Sequence, residues 1–224
     1  MESTLPVVER FHSIQGEGVH SGRSAYFIRL ASCKVGCPWC DTKNSWTTDN
    51  YPQINVIELS KQAIDACIKG AAFIVLTGGE PLHHDLNPLC KAIRTKAKEK
   101  NLLKLPIHIE TSGVNAITGK PDWITLSPKP HAPPTKEILS ACQELKIVVN
   151  KKDDLIFAEE MAKTALNKEK ECQTYKHMIT EKLPILFLQP GWNNPQGQVL
   201  ACEYVKNNPT WRLSLQTHKW LNIL

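Results

Sequence analysis

Short apolar runs typical of buried strands alternate with segments of helical periodicity along most of the chain, and this alternation limits the possible folds more than any other feature. The predicted strands are residues 25–30, 73–77, 107–111, 123–126, 145–149, 185–188 and 212–215. The predicted helices are residues 55–67, 86–97, 135–142 and 153–166. This order favours an α/β fold with a mostly parallel sheet covered by helices, either open or curled into a partial barrel.

Polar and glycine-containing motifs follow four of the predicted strands. They are Thr77-Gly78-Gly79-Glu80, Glu110-Thr111-Ser112-Gly113, Ser127-Pro128-Lys129 and Gln189-Pro190-Gly191-Trp192. Because the carboxyl ends of parallel strands lie at the same edge of a sheet, these motifs should meet where α/β proteins carry their functional sites. The sequence therefore predicts one site at this rim.

Composition narrows the class of protein. The 224 residues suit a single domain, 1–224, and 42% hydrophobic with 22% charged residues is typical of a globular chain. The longest apolar run, 71–76, is far shorter than the roughly 20 residues that span a bilayer. Residues 1–4 are acidic and polar, unlike a secretory signal, so we expect a cytoplasmic protein with cysteines free or bound to metal. The net charge of +5 is modest, and we expect neither nucleic acid nor membrane as a partner.

A C-x3-C-x2-C run, formed by Cys33, Cys37 and Cys40, follows the first predicted strand. Three thiolates within eight residues can hold three irons of a 4Fe–4S cluster while the fourth iron stays open. A zinc site completed by His12, His20 or a more distant histidine is an alternative, since closed structural zinc sites have four ligands. A redox pair at Cys37 and Cys40 is another, although it leaves the third cysteine unexplained.

The cysteine spacing resembles that of the radical S-adenosylmethionine superfamily, and further motifs resemble the 7-carboxy-7-deazaguanine synthase family. These motifs are Phe11-His12-Ser13-Ile14-Gln15-Gly16-Glu17-Gly18, Gly22-Arg23, Phe27-Ile28-Arg29, Cys40-Asp41-Thr42, Thr77-Gly78-Gly79-Glu80-Pro81 and Trp211-Arg212-Leu213-Ser214-Leu215-Gln216-Thr217-His218-Lys219, besides the loops at 110–113 and 127–129. The resemblance runs from about residue 8 to residue 224 and is weaker between about 150 and 182. The stretch 189–195 departs from the family pattern, so its contacts are the least certain to carry over.

The resemblance implies a partial, modified TIM-like (β/α) barrel and a defined reaction. That reaction converts 6-carboxy-5,6,7,8-tetrahydropterin to 7-carboxy-7-deazaguanine with loss of ammonia, on the route to queuosine and other 7-deazapurines. The implied cofactors are a 4Fe–4S cluster, S-adenosylmethionine used catalytically, and Mg²⁺. The implied partners are the pterin substrate, a second copy of the chain in a homodimer, and an external electron donor such as flavodoxin or ferredoxin.

The resemblance also implies roles for individual residues. Cys33, Cys37 and Cys40 would hold the cluster and Thr42 would contact Mg²⁺, while the S-adenosylmethionine site would be lined by Trp39, Cys40, Asp41, Gly79, Glu110, Ser127, Pro128, Lys129, Gln189, Pro190, Gly191 and Trp192. The substrate would contact Ile14, Gln15, Gly16, Glu17, Arg29, Thr77, His218 and the terminal carboxylate of Leu224, with Glu17 also catalytic. Backbone carbonyls and a carboxylate suit the donor-rich edge of a pterin, and Arg29 and His218 are natural counterions for its carboxylate.

Other interpretations of the same residues remain at this stage. Taken alone, Thr42 would better suit a helix cap, Arg29 could equally be a structural strand arginine, and His218 would better suit a surface position. A glycyl-radical activase shares the cysteine spacing but leaves the motif at 14–17 without a purpose. A zinc-containing RNA-binding module is suggested by the net charge and the lysines of 91–100, although a solvated helix face explains those lysines better.

Overall fold

A nine-stranded sheet forms the centre of the computed structural model, which describes residues 3–102, 104–166 and 183–224. The strands are β1 (Thr4–Ile14), β2 (Ser24–Leu30), β3 (Gln53–Asn55), β4 (Ile74–Gly78), β5 (Ile107–Thr111), β6 (Trp123–Leu126), β7 (Glu144–Val149), β8 (Ile185–Pro190) and β9 (Trp211–Leu213). Their order is β3-β1-β2-β4-β5-β6-β7-β8-β9. All neighbours from β2 to β9 are parallel, whereas β1 pairs antiparallel with both β2 and β3. The sheet is therefore mostly parallel and unclosed, as predicted.

The described part of the chain contains six α-helices, of which the first five lie between strands and the sixth follows β9. They are α1 (Val56–Ile68), α2 (Asn87–Glu99), α3 (Lys136–Ala141), α4 (Lys152–Leu166), α5 (Pro195–Asn207) and α6 (Thr217–Leu221). Asn55 caps α1, its side-chain oxygen accepting a hydrogen bond of 2.8 Å from the Ile57 amide. The apolar stripe of α2 is buried as its spacing predicts. No helix among the described residues is long and apolar enough to cross a membrane.

The two faces of the sheet have different roles, because side chains alternate along each strand. The main core contains Tyr26, Ile28 and Leu30 of β2 and Leu145, Ile147 and Val149 of β7, packed with the helices. The alternate residues Phe27 and Arg29 of β2 and Lys146 of β7 face a cavity instead. The helix-covered face thus stabilises the fold, and the opposite face is left to carry polar groups.

All seven predicted strands and four predicted helices are present, with ends displaced by at most two residues. The sequence did not predict β1, β3, α5 or α6. The charged and polar residues of β1 obscure its alternation, and its extended conformation depends on a long antiparallel pairing with β2. The helix α6 has five residues, too few for helical periodicity to show in the sequence.

Candidate active site

A cavity of about 590 Å³ lies at the carboxyl ends of the parallel strands, within the size range of small-molecule sites. The four polar loops predicted to meet there all contribute to its lining. Among the individual residues predicted for the site, Pro128 alone is absent from the lining. Residues that are up to about two hundred positions apart in the sequence therefore line one cavity.

The three cysteines lie on one wall of this cavity, in the loop that follows β2. The loop is held by backbone hydrogen bonds from Cys33 to the Trp46 carbonyl and from Cys40 to the Cys37 carbonyl, both 3.1 Å long. Gly36 has a φ of 71°, a conformation that favours glycine. Burial raises the pKa of the Cys33 and Cys37 thiols. Binding to iron would offset this effect, since a coordinated metal favours the thiolate.

The donor set fits an iron–sulfur cluster with an open iron better than a zinc ion. In the described ranges, no group of three or more His, Cys, Asp or Glu side chains is arranged to hold a metal ion. Thiolates that bind separate irons of a cluster do not have to converge on one point. Of the histidines considered as a fourth zinc ligand, His12 Nε2 is 2.7 Å from Ser24 Oγ, and the His20 ring packs against Trp123. His131 does reach the cysteine loop, but its Nε2 lies 3.1 Å from the Val35 carbonyl oxygen, within hydrogen-bond distance.

Gly79 brings the loop after β4 against the cysteine loop. Its amide donates to the Leu30 carbonyl at 2.9 Å, and the Glu80 amide donates to the Ser32 carbonyl at 2.8 Å. A Cβ atom at Gly79 would lie 2.4 Å from the Ser32 carbonyl oxygen and 2.9 Å from Cys33 Cβ. The two loops can approach this closely only because residue 79 has no side chain.

The carboxylate of Glu80 holds two rim loops together rather than standing free beside the cavity. Its Oε1 accepts hydrogen bonds from the Leu82 amide at 3.0 Å and Thr111 Oγ1 at 2.5 Å. Its Oε2 accepts from both the amide and the hydroxyl of Ser112, at 2.8 and 2.5 Å. A carboxylate in this glycine-rich motif could suit an ammonium group, but four protein donors already occupy it.

Thr42 directly precedes a short 3-10 helix, Lys43–Trp46, yet its hydroxyl does not cap that helix. Thr42 Oγ1 lies 3.6 Å from Cys40 Sγ, and the residue lines the cavity. The structure therefore does not support the helix-cap alternative. The adjacent Asp41 forms an ion pair with Lys219 of α6, which ties the cysteine loop to the last helix.

Glu17 also lines the cavity, and both of its carboxylate oxygens are held. Gln216 Nε2 donates to Oε1 at 2.9 Å, and the buried ammonium of Lys146 forms an ion pair with Oε2. Burial acts to raise the pKa of Glu17, but the charge and hydrogen bond of Lys146 outweigh it and lower that pKa to about 2. Glu17 is therefore an anion at neutral pH.

A second carboxylate, Glu110 of β5, is fixed in a similar way. Gln15 Nε2 donates to its Oε1 at 2.9 Å, and Thr77 Oγ1 donates to its Oε2 at 3.0 Å. The Gln15 side-chain oxygen in turn accepts from the Glu17 amide at 3.2 Å. These hydrogen bonds connect the segment after β1 to the ends of β4 and β5.

The remaining predicted substrate residues surround the same segment. Gly16 packs against His218, where a Cβ atom would lie 2.2 Å from Nδ1. Burial lowers the pKa of His218, although Glu17 acts in the opposite direction. Arg29 Nε forms an ion pair of 2.6 Å with Glu9 at the cavity edge, and Leu224 lines the cavity beyond it.

The rim also contains the predicted loops at 127–129 and 189–192. Lys129 Nζ donates to the Ser127 carbonyl at 2.6 Å and to its hydroxyl at 2.7 Å. Gln189 is buried and accepts a hydrogen bond of 2.8 Å from Ser214 Oγ. Trp192 is half exposed, with Lys219 Nζ 5.2 Å from its ring centroid.

Sequence reasoning missed several cavity residues with clear contacts, among them Lys146, Gln216 and Lys219. A signal for Lys146 existed, because a lysine inside the buried strand sequence Glu-Leu-Lys-Ile-Val-Val must find a partner. Gln216 and Lys219 lie within a motif quoted for the family resemblance, but nothing local marks them as cavity residues.

Comparison with known proteins extends these observations. Residues 14–111 match a model of the 4Fe–4S single cluster domain. The chain is 56% identical to the 7-carboxy-7-deazaguanine synthase of Prochlorococcus marinus, with full coverage of both chains. It is 41% identical to the enzyme of that name from Synechocystis sp., covering 98% of this chain and 94% of the relative. A crystal structure of QueE from Escherichia coli matches with a TM-score of 0.74 and 29% identity, covering 95% and 94% of the two chains.

A mostly parallel, unclosed TIM-like sheet with a cysteine triad at its carboxyl rim defines a radical S-adenosylmethionine enzyme with an iron–sulfur cluster. Within that class, the chain belongs to the 7-carboxy-7-deazaguanine synthase family, whose members are lyases of queuosine biosynthesis. This membership argues against both the glycyl-radical activase and the RNA-binding module.

Proposed function

We propose that the chain converts 6-carboxy-5,6,7,8-tetrahydropterin to 7-carboxy-7-deazaguanine with loss of ammonia, regenerating S-adenosylmethionine in each turnover. The observation that carries this proposal is that one cavity joins the cysteine loop to the segment 14–17. A radical formed at the cysteine side would therefore arise beside a pterin held at the other side.

In this proposal Cys33, Cys37 and Cys40 hold the cluster. The S-adenosylmethionine site is lined by Trp39, Asp41, Gly79, Glu110, 127–129 and 189–192, which meet around the same cavity apart from Pro128. When bound, the cluster and S-adenosylmethionine would supply the radical that removes a hydrogen atom from the substrate. The protein itself orients both molecules and limits the access of water, because its site is enclosed by loops from several strands.

The pterin would bind along 14–17, with its amide and amino edge facing Glu17 and the backbone of Gln15 and Gly16. Because Glu17 is ionised and fixed at both oxygens, it can accept hydrogen bonds from the amino edge without reorganising. Thr77 and Leu224 would complete the pocket.

The substrate carboxylate would be held mainly by Arg29. Its guanidinium carries a permanent charge, whereas burial keeps His218 largely neutral at pH 7 when the pocket holds no substrate. His218 would then act as a hydrogen-bond donor, or become charged only when the substrate carboxylate arrives.

Mg²⁺ would be bound through the Thr42 hydroxyl. Thr42 lines the cavity, and its hydroxyl is not used as a helix cap. Its contact at 3.6 Å, Cys40 Sγ, would be bound to iron, which leaves the hydroxyl to a hard cation. Mg²⁺ usually keeps several waters and binds few protein groups, which suits a site with a single protein oxygen completed by substrate oxygens.

We further propose that the protein is a cytoplasmic homodimer reduced by an external carrier such as flavodoxin or ferredoxin. Around α6, Trp220, Leu221 and Leu224 are more than 60% exposed, an apolar surface that a second copy would cover. A reducing compartment suits the cysteine thiols and the cluster they would hold.

Anaerobic reconstitution provides the test. Protein with a verified cluster is incubated with reductant, S-adenosylmethionine, Mg²⁺ and 6-carboxy-5,6,7,8-tetrahydropterin, and mass spectrometry follows the product. Formation of 7-carboxy-7-deazaguanine without net consumption of S-adenosylmethionine is the expected result. Cleavage of S-adenosylmethionine without that product would reject the substrate, and omission of Mg²⁺ tests its role separately.

A further inference from the structure

Lys146 is a buried cation that the family resemblance does not assign to any role. It lies on the cavity face of β7, between Leu145 and Ile147 of the main core, and its side chain is 7% exposed. A lysine is seldom buried this deeply unless it is paired with an anion. Its position therefore depends on a partner, and that partner identifies its function.

The partner with the most direct contact is Glu17, which is itself only 15% exposed. The carboxylates of Glu110 and Glu144 also act on the Lys146 ammonium, as does the positive charge of Lys129 from the loop after β6. The charge of His218 of α6 also acts on Glu17. A cavity of about 10 Å³, roughly the space of one water molecule, is lined by Lys146, Glu17 and the buried Glu144, together with His20 and His108.

We propose that Lys146 is a positioning residue for the pterin: it fixes the Glu17 carboxylate as an oriented anion, and it acts on substrate binding through Glu17. The inference rests on the proposed function, because it needs a pterin beside Glu17. It adds to that function a residue, 129 positions from Glu17 in the sequence, that keeps the Glu17 carboxylate ionised and oriented for the substrate.

The chemistry of burial explains why such a residue is needed. Burial alone would raise the pKa of Glu17, and a protonated carboxyl would lose one of its acceptor sites. Gln216 is neutral, so it can orient Glu17 but contributes less than a full charge towards keeping it ionised. With Lys146 removed, Glu17 would take up a proton as the pH falls towards neutrality.

The test measures binding of 6-carboxypterin, an aromatic analogue of the substrate, by its fluorescence in cluster-reconstituted protein with S-adenosylmethionine, from pH 5.5 to 7.5. Lys146→Met removes the charge, and Lys146→Arg keeps it. We expect Lys146→Met to bind about tenfold or more weakly, with a further loss as the pH falls. Lys146→Arg should follow the wild-type pH profile, since both share every other titrating group. Equal affinity and equal pH profiles in Lys146→Met and wild type would overturn the proposal.

A second comparison does not require Lys146→Met to fold. It compares the single variant Glu17→Gln with a double variant that carries Glu17→Gln and Lys146→Met together. Neither has a carboxylate at residue 17. If Lys146 acts through Glu17, the two should bind 6-carboxypterin within about threefold of each other. A further tenfold loss in the double variant would show that Lys146 acts on the ligand independently of Glu17, and would overturn the proposal. Failure of the wild type itself to bind the analogue would overturn the proposed function as well.

Discussion

Two walls of the same cavity are built in opposite ways. The cysteine wall, residues 33–42, is one short loop held by backbone hydrogen bonds, and its three cysteines line the cavity and would be completed by the cluster. The carboxylate wall, formed by Gln15, Glu17, Lys146 and Gln216, comes from three separate parts of the chain, and its groups are hydrogen-bonded to one another. One wall is therefore finished by its cofactor, and the other is formed before any ligand arrives.

The largest expected effect comes from removing one cysteine. Cys37→Ser should lose the visible absorption of the cluster and all product formation, because three thiolates are the minimum that holds three irons. Circular dichroism should show an unchanged fold, since the loop's backbone contacts remain. The matched control is Cys67→Ala on α1, a half-buried thiol whose pKa burial raises to about 11, and which should keep cluster and activity. Product formation by Cys37→Ser would contradict the account.

The second largest loss of activity is expected for a change at Gly79, whose backbone lies against Ser32 and against Cys33 of the cysteine wall. The added methyl of Gly79→Ala would meet the Ser32 carbonyl and Cys33 Cβ, so the cysteine loop has to move. A displacement near 1 Å at a reacting site can cost about 100-fold in rate, and we expect a loss of that order together with lower iron content. Iron analysis and product formation at saturating substrate measure both. Wild-type values for both would show that the close approach of the two loops is not required.

The corresponding change in the carboxylate wall is Gly16→Ala. Its methyl would collide with His218 and move the segment that faces the pterin. We expect the KM for the pterin to rise about tenfold while cluster content stays constant, because the atoms nearest to the added methyl belong to His218 and not to the cysteine loop. Steady-state kinetics at fixed S-adenosylmethionine give this value. Loss of the cluster in Gly16→Ala would break the distinction between the two walls.

The smallest expected effect is on the pH dependence of the free energy of unfolding, and it arises from the buried carboxyl of Glu144. Burial raises the pKa of Glu144 to about 7 despite the opposing charge of Lys146. Such a carboxyl binds its proton more tightly when folded, so its contribution is full below pH 4.5 and is lost as the pH rises through about 7. The free energy of unfolding of the wild type should therefore fall by roughly 3 kcal/mol more than that of Glu144→Gln between pH 4.5 and 8. Urea denaturation measures this, and parallel pH profiles would argue against the raised pKa.

The contrast between the walls also explains what the sequence could predict. The cysteine wall could be predicted because its three proposed ligands fall within eight residues and their spacing alone indicates the chemistry. The strands were found from their apolar runs, and the rim loops followed from the rule for parallel sheets. By contrast, the pairing of Glu17 with Lys146 and Gln216 joins residues 129 and 199 positions apart, which no local pattern contains.

Glu80 and Thr42 show a further limit of sequence reasoning. Both stand in recognisable motifs, yet whether each side chain is free or occupied depends on contacts made after folding. The Glu80 carboxylate is taken up by Thr111 and Ser112, whereas the Thr42 hydroxyl lies beside Cys40 Sγ at 3.6 Å and does not cap the helix that follows it. Motif membership alone does not distinguish these two outcomes.

The central claim is that the two walls act on different molecules, and the reduced cluster of Glu17→Gln tests it most directly. Electron paramagnetic resonance would be recorded with and without S-adenosylmethionine, alongside binding of 6-carboxypterin to the same protein. The account predicts that the spectrum responds to S-adenosylmethionine as in the wild type while binding of the pterin analogue is lost or greatly weakened. A spectrum that no longer responds to S-adenosylmethionine, or undiminished binding of 6-carboxypterin, would contradict it.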